Sequence, residues 1–135
     1  MTDADEDFVR TRANRRCEYC HLREEDHRYT SFHIEHIVAK QHGGGDEEQN
    51  LYLSYPFCNW RKGTNLGGLW SGKLYPLFNP RKQAWHRHFF WDGTTLVGKT
   101  ASGIVTIRVL GINRIERVEQ RESLLLEGRF PPEET

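Results

Sequence analysis

Residues 33–63 read HIEHIVAKQHGGGDEEQNLYLSYPFCNWRKG, and the reading of this stretch decides the fold. Within Tyr29–Val38, alternation and a wealth of aromatic and β-branched residues predict a strand that carries Glu35 and His36. Gly43-Gly44-Gly45, followed by acids and amides, makes residues 41–49 a loop. Residues 50–54 predict a second short strand, and residues 57–65 a short helix. The Glu-His dipeptide suggests a chemistry. A phosphodiester is hydrolysed when water loses a proton, attacks phosphorus in line, and the leaving oxygen is neutralised. Imidazole titrates near neutrality, so His36 can take that proton. Glu35 projects from the other strand face, where it could ligate a hard divalent cation. Most Glu-His dipeptides are only half-buried strand, so the surroundings must carry the argument.

Working outward, Cys17-x-x-Cys20 lies upstream; Gly43-Gly44, Asn50-Leu51 and Cys58-Asn59-x-x-Lys62-Gly63 lie downstream. In order and spacing these elements resemble the HNH nuclease family, whose pattern is CxxC, a D/E-H pair, GG, NL, then CxxCN and often a lysine. The resemblance covers about residues 13–66. It implies an α+β fold built on a ββα-metal finger, a two-stranded ribbon and a helix clamping one ion. It also implies roles. Glu35 stands at the first metal-binding position and His36 at the general base. Asn50 is the middle Asn, which pins the loop and orients the base through a backbone hydrogen bond. Asn59 completes the metal site, and Lys62, with Arg61 and Lys40, would contact nucleic acid. A solvated helix face is an equal reading for Lys62. Two oxygen donors suit Mg²⁺ or Mn²⁺, which keep waters and accept phosphate oxygens. The resemblance further implies 5′-phosphate and 3′-hydroxyl products, with DNA the expected substrate.

Two positions depart from that pattern. In the zinc-bearing branch, Cys58 is partnered by a cysteine three residues earlier, where this chain has Tyr55. Structural zinc takes four sulfur or nitrogen ligands, and a phenol with a pKa near 10 is a poor substitute. Three alternatives stand. The zinc of Cys17, Cys20 and Cys58 is lost; or His21 or His27 supplies the fourth ligand; or the ion is held weakly, with water in fourth place. Loss or weakening is favoured. The second departure is Gly63, where some members carry a further histidine, so the expected site is a carboxylate plus Asn. Every position that carries chemistry is intact.

Beyond residue 66 the chain reads as a C-terminal extension, 67–135, packed on the core. Residues 67–80 form an aromatic-rich connection, and Asp92-Gly93 is the turn of a small hairpin. Residues 104–110 fit either a strand or a helix. Asn113 is a good N-cap for a helix through about Glu127, with Gly128 as its stop. The stretch Pro76-Leu-Phe-Asn-Pro-Arg81, with Trp85, His88-Phe89 and Trp91, resembles the C-terminal part of a bacterial HNH subfamily, which tips 104–110 toward helix. His88 and Arg81 read as packing more than substrate contact, and Trp70, Trp85 and Trp91 as core. His27, His33, His42 and His86 read as surface or packing residues.

Composition sets the outer limits. The 135 residues fit one domain, with 36% apolar and 28% charged residues. Three cysteines cannot all pair in disulfides. Asp3, Asp5, Glu6 and Asp7 make residues 1–12 an acidic, loosely held lead-in, unlike a secretory leader. No apolar run approaches the roughly 18 residues of a membrane span, so a soluble, cytoplasmic protein without a membrane partner is expected. Net charge is zero, but six of the 19 acids lie at the two ends, leaving the body about +6. That permits a basic face toward phosphate without proving one. The runner-up to a nuclease is a catalytically silent nucleic-acid- or protein-binding module on the same finger. A redox or zinc-handling protein built on the CxxC would require the other matches to be accidental.

Overall fold

A computed structural model describes residues 1–132 and has α+β architecture: four α-helices and three two-stranded antiparallel ribbons. The chain divides into two compact units, residues 1–65 with 79–82, and residues 66–78 with 83 onward.

The first unit begins with a helix, not with the loose lead-in expected from its acidity. Helix α1 spans Asp3–Arg12 and opens on a capping box: Thr2 Oγ1 accepts from Asp5 N–H, and the Asp5 carboxylate accepts from Thr2 N–H. The acids of residues 3–6 lie at the positive end of the helix dipole and Arg10 and Arg12 at its negative end. The same charges that suggested fraying therefore stabilise this helix. Its far end is tied down: Arg12 donates to the carbonyls of Glu48 and Leu51 at 3.0 and 2.8 Å, Arg10 to that of Phe32 at 3.2 Å, and Val9 is buried.

After α1 the CxxC segment turns back on itself. Cys17 N–H donates to Leu22 carbonyl, His21 N–H donates to Cys17 carbonyl, and Arg16 bridges Arg23. Strand β1, His33–His36, pairs antiparallel with β2, Leu51–Ser54, placing Glu35 opposite Tyr52 and His36 opposite Leu51. The strand expected over residues 29–38 shrinks to the four residues His33–His36, since Tyr29 is fully exposed and only Phe32 onward finds a core. Helix α2, Pro56–Lys62, starts on a proline at its first turn, where a missing N–H costs nothing, and ends at Gly63 with φ +51°. Tyr19, Leu22, Leu51, Tyr52 and Leu53 fill the interior with the three cysteines. Residues 79–82 return to this unit through Arg81, whose guanidinium donates to Glu18; that carboxylate also accepts from Leu53 N–H. The packing reading of Arg81 is the observed one.

The second unit holds two hairpins, where the sequence suggested one. Strands β3, Gly67–Trp70, and β4, Lys73–Pro76, flank a Ser71-Gly72 turn with both φ values positive. This hairpin was read as a connection because it exposes Leu69 and Leu74 and shows no alternation. Trp70 is likewise exposed, not core, whereas Trp85 is buried. Strands β5, Phe89–Asp92, and β6, Thr95–Gly98, form the expected hairpin. Helix α3, Ala101–Leu110, settles the ambiguous segment: Thr100 caps it, and Gly111 ends it in the left-handed region. Its close seating on β6 needs Gly98, where a Cβ would lie 2.6 Å from Ile104 N.

Helix α4 spans Ile115–Leu126, and Asn113 does not cap it. The Asn113 side chain instead accepts from Leu96 N–H at 2.9 Å and donates to Leu96 carbonyl at 2.7 Å, pairing with β6 as another strand would. Arg121 joins the same knot from α4, fully buried, with bonds to Thr94, Ile112 and Asn113 and its guanidinium over Trp91. His88 is structural as read: its ring bonds Thr100 Oγ1 at 2.6 Å, and burial followed by the Arg87 charge lowers its pKa.

Candidate active site

Because successive strand residues face opposite ways, Glu35 and His36 reach different neighbours. Glu35 meets α2, where Asn59 Nδ2 donates to Glu35 Oε1 at 3.2 Å. An amide and a carboxylate, both oxygen-bearing, thus converge across the ribbon and the helix. Rotation of the Asn59 amide about its last bond would present its oxygen in place of its nitrogen, so the pair fits a hard divalent ion. His36 meets the loop that joins β1 to β2, and its Nε2 lies 2.7 Å from Asp46 Oδ1. The imidazole is one-fifth exposed, enough for a water to reach it.

That loop is shaped by Asn50. Its Oδ1 accepts from Val38 N–H at 2.9 Å, while Nδ2 donates to Val38 carbonyl at 2.9 Å and to Gly45 carbonyl at 2.8 Å. One buried side chain therefore holds the segment two residues beyond His36 and the residue just before Asp46. Gly44 is required between them, since a Cβ there would stand 1.8 Å from Val38 carbonyl.

Lys62 is not available to phosphate. It is 2% exposed; Nζ donates to Ile37 carbonyl at 3.0 Å, lies 3.4 Å from that of His36, and sits 5.7 Å from the Tyr52 ring centroid. Burial pulls its pKa down, and the nearby Glu35 charge opposes this. Asn59 and Lys62 are three apart on one helix, hence on one face. Once Asn59 is assigned to the ribbon side, that spacing already turns Lys62 inward. Arg61 is half-buried, whereas Lys40 is exposed and lies 3.6 Å from Asp46.

Cys17, Cys20 and Cys58 do come together. Their sulfurs lie within 4.8 Å of one another and all three residues are fully buried. Burial, followed by the Cys20 hydrogen bond, pushes the Cys17 thiol up to about 11, and burial likewise raises Cys58. No histidine joins the group among the described residues. His27 contacts Arg23 carbonyl through Nδ1 at 3.0 Å, and its ring packs on Phe32 and Tyr55. Tyr55 sits in this aromatic cluster, 5.5 Å from the Phe32 ring. The alternative with a histidine as fourth ligand thus finds no partner. Asp46 and Glu18 are the residues that sequence reasoning missed. Asp46 stood in a run of loop acids with nothing to single it out, and Glu18 acts through a residue 63 positions away.

Among the described residues, no helix is long and apolar enough to cross a membrane. Residues 17–65 match the family model for HNH endonuclease. Over 109 residues the chain is 29% identical to a Septu protein PtuB from Bacillus thuringiensis, a match covering 78% of this chain and 40% of that protein. The chain thus spans about two fifths of that relative's length. No solved structure matches it significantly. Carrying the family pattern on a ribbon and helix that bring Glu35 to Asn59, residues 17–65 are an HNH endonuclease domain.

Proposed function

We propose that this protein is a metal-dependent endonuclease that hydrolyses phosphodiester bonds in DNA, with His36 as general base. The observation that carries the reading is the convergence of Glu35 and Asn59 at 3.2 Å beside a part-exposed His36. Glu35 and the Asn59 amide oxygen would hold one divalent ion, Mg²⁺ or Mn²⁺. When bound, such an ion polarises a phosphoryl oxygen and offsets charge on the leaving 3′ oxygen. His36 takes the proton from the attacking water. Asn50 keeps the loop closed around that imidazole. Lys40 and Arg61 are the cations left to meet the phosphate backbone. The test is nicking of supercoiled plasmid in Mg²⁺ or Mn²⁺, with EDTA and His36→Ala as controls. Cleavage that survives both controls overturns the reading; no cleavage by the folded, metal-loaded protein favours the silent binding module.

The lysines separate in a second measurement. Lys62→Met is expected to cost about 1–3 kcal/mol of stability, the range for unpairing buried carbonyls, and to leave the salt dependence of DNA affinity unchanged. Lys40→Ala should leave stability unchanged and reduce the slope of log affinity against log salt by about one. Fluorescence anisotropy over a salt series checks both. A shallower slope in Lys62→Met would return that side chain to the phosphate.

The three thiols lie close enough to hold a metal ion, but they fall one short of structural zinc. Tetrahedral zinc takes four thiolate or imidazole ligands, and here three sulfurs come together. We read the cluster as a buried apolar knot, in which cysteines behave as small hydrophobes. Exhaustive chelation is therefore expected to leave the circular-dichroism spectrum and Tm unchanged. A collapse in Tm on chelation, with one zinc released per chain, would show a complete structural site.

A further inference from the structure

We propose that Asp46 is a positioning residue that fixes the His36 tautomer and leaves Nδ1 as the basic nitrogen; this rests on His36 being the general base. Neutral imidazole has one N–H and one lone pair, and whichever nitrogen faces a carboxylate keeps the proton. Nε2 of His36 lies 2.7 Å from Asp46 Oδ1, so Nε2 donates. Among the described residues no hydrogen bond reaches Nδ1. It is the nitrogen left open to a water.

The carboxylate is held in place from two sides. Asn50 Nδ2 donates to Gly45 carbonyl, the residue before Asp46, at 2.8 Å. Lys40 Nζ lies 3.6 Å from the same Oδ1 that faces His36. The His36 hydrogen bond, then the Lys40 charge, keep Asp46 below the ordinary carboxylate pKa, so it is an acceptor throughout the neutral range. Asp46 is about half exposed. A bond that wet contributes little to stability, so its effect is on the direction of the ring. The middle Asn, in this chain, acts on the base through two paths: Val38 on the strand side and Gly45-Asp46 on the loop side.

The test pairs ring spectroscopy with kinetics. Long-range ¹H–¹⁵N spectra recorded over a pH series distinguish the two imidazole tautomers, with the His36 signals assigned by their loss in His36→Gln. Wild type is expected to show His36 protonated on Nε2. Asp46→Ala should lose that preference and lower kcat about ten- to a hundred-fold, with KM within about twofold. Asp46→Asn, whose amide oxygen still accepts, should keep the tautomer and most of the kcat. Far-UV spectra confirm that each variant is folded. A wild-type ring protonated on Nδ1 overturns the inference, as does an Asp46→Ala kcat equal to or above wild type. A protein that fixes its tautomer through Asp46 yet nicks nothing would support the positioning and sink the nuclease reading, so the two failures are distinguishable.

Discussion

Replacing His36 by alanine is expected to lower plasmid nicking about 10²- to 10⁴-fold, the range that a positioned general base contributes. The variant should bind DNA as the wild type does, because removing the base removes no phosphate contact. Its stability should change little. His36 stands at the end of β1, and among the described residues its side chain bonds only the half-exposed Asp46. Its main-chain carbonyl, which faces Lys62, is untouched by the substitution. Single-turnover cleavage at saturating metal, beside a thermal melt, makes the measurement. A fall in rate no larger than the fall in folded fraction would remove His36 from the chemistry.

The second large effect belongs to Asn50, and it falls on stability and activity together. Asn50→Ala leaves Val38 N–H, Val38 carbonyl and Gly45 carbonyl without their partner in a site where Asn50 is 7% exposed. Unpaired buried groups cost about 1–3 kcal/mol each, and loop relaxation returns some of that, so about 2–4 kcal/mol is expected. For a unit of this size that is a fall in Tm on the order of 10–20 °C. Nicking should fall further than the unfolded fraction explains, because the loop that carries Asp46 is released. Asn50→Asp is expected to be no milder: it keeps the acceptor for Val38 N–H but turns a charged oxygen toward two carbonyls. Urea unfolding, with nicking assayed well below the midpoint, tests both. An Asn50→Ala variant within about 0.5 kcal/mol of wild type, the scatter of neutral surface changes, would contradict the clamp.

The ribbon and the finger helix were legible in local spacing, through a strand that alternates and a glycine-marked loop, whereas the Glu35–Asn59 pairing was legible only through resemblance. Asn50 was legible only through resemblance, since a single Asn before a strand has no distinctive local signal. The inward turn of Lys62 could have been found from its three-residue offset to Asn59, but a lysine on a short helix reads first as solvent-facing. Helix α1 does not show in composition, where residues 1–12 read as a polar, loosely held lead-in; it shows in the order of charges along the segment, acids before arginines, which a helix dipole favours. Asn113 was misread for a different reason. A capping residue and a strand-mimicking amide look alike until the partner, Leu96, is known. The hairpin at 67–76 lies beyond any local rule, as its pairing exposes the apolar side chains that would have marked it.

The return of Arg81 to Glu18 bears on how such a domain can travel between genes. The family pattern ends at residue 65, yet Glu18, in the middle of the CxxC turn, takes its cation from a position beyond the pattern's end. A recombination event joining the motif to a new downstream partner at residue 66 would strand a nearly buried carboxylate inside the turn that carries Cys17 and Cys20. The folded unit is therefore longer than the family pattern. Shuffling should conserve the short Asn79–Lys82 segment along with the finger, even where everything between and after it is replaced.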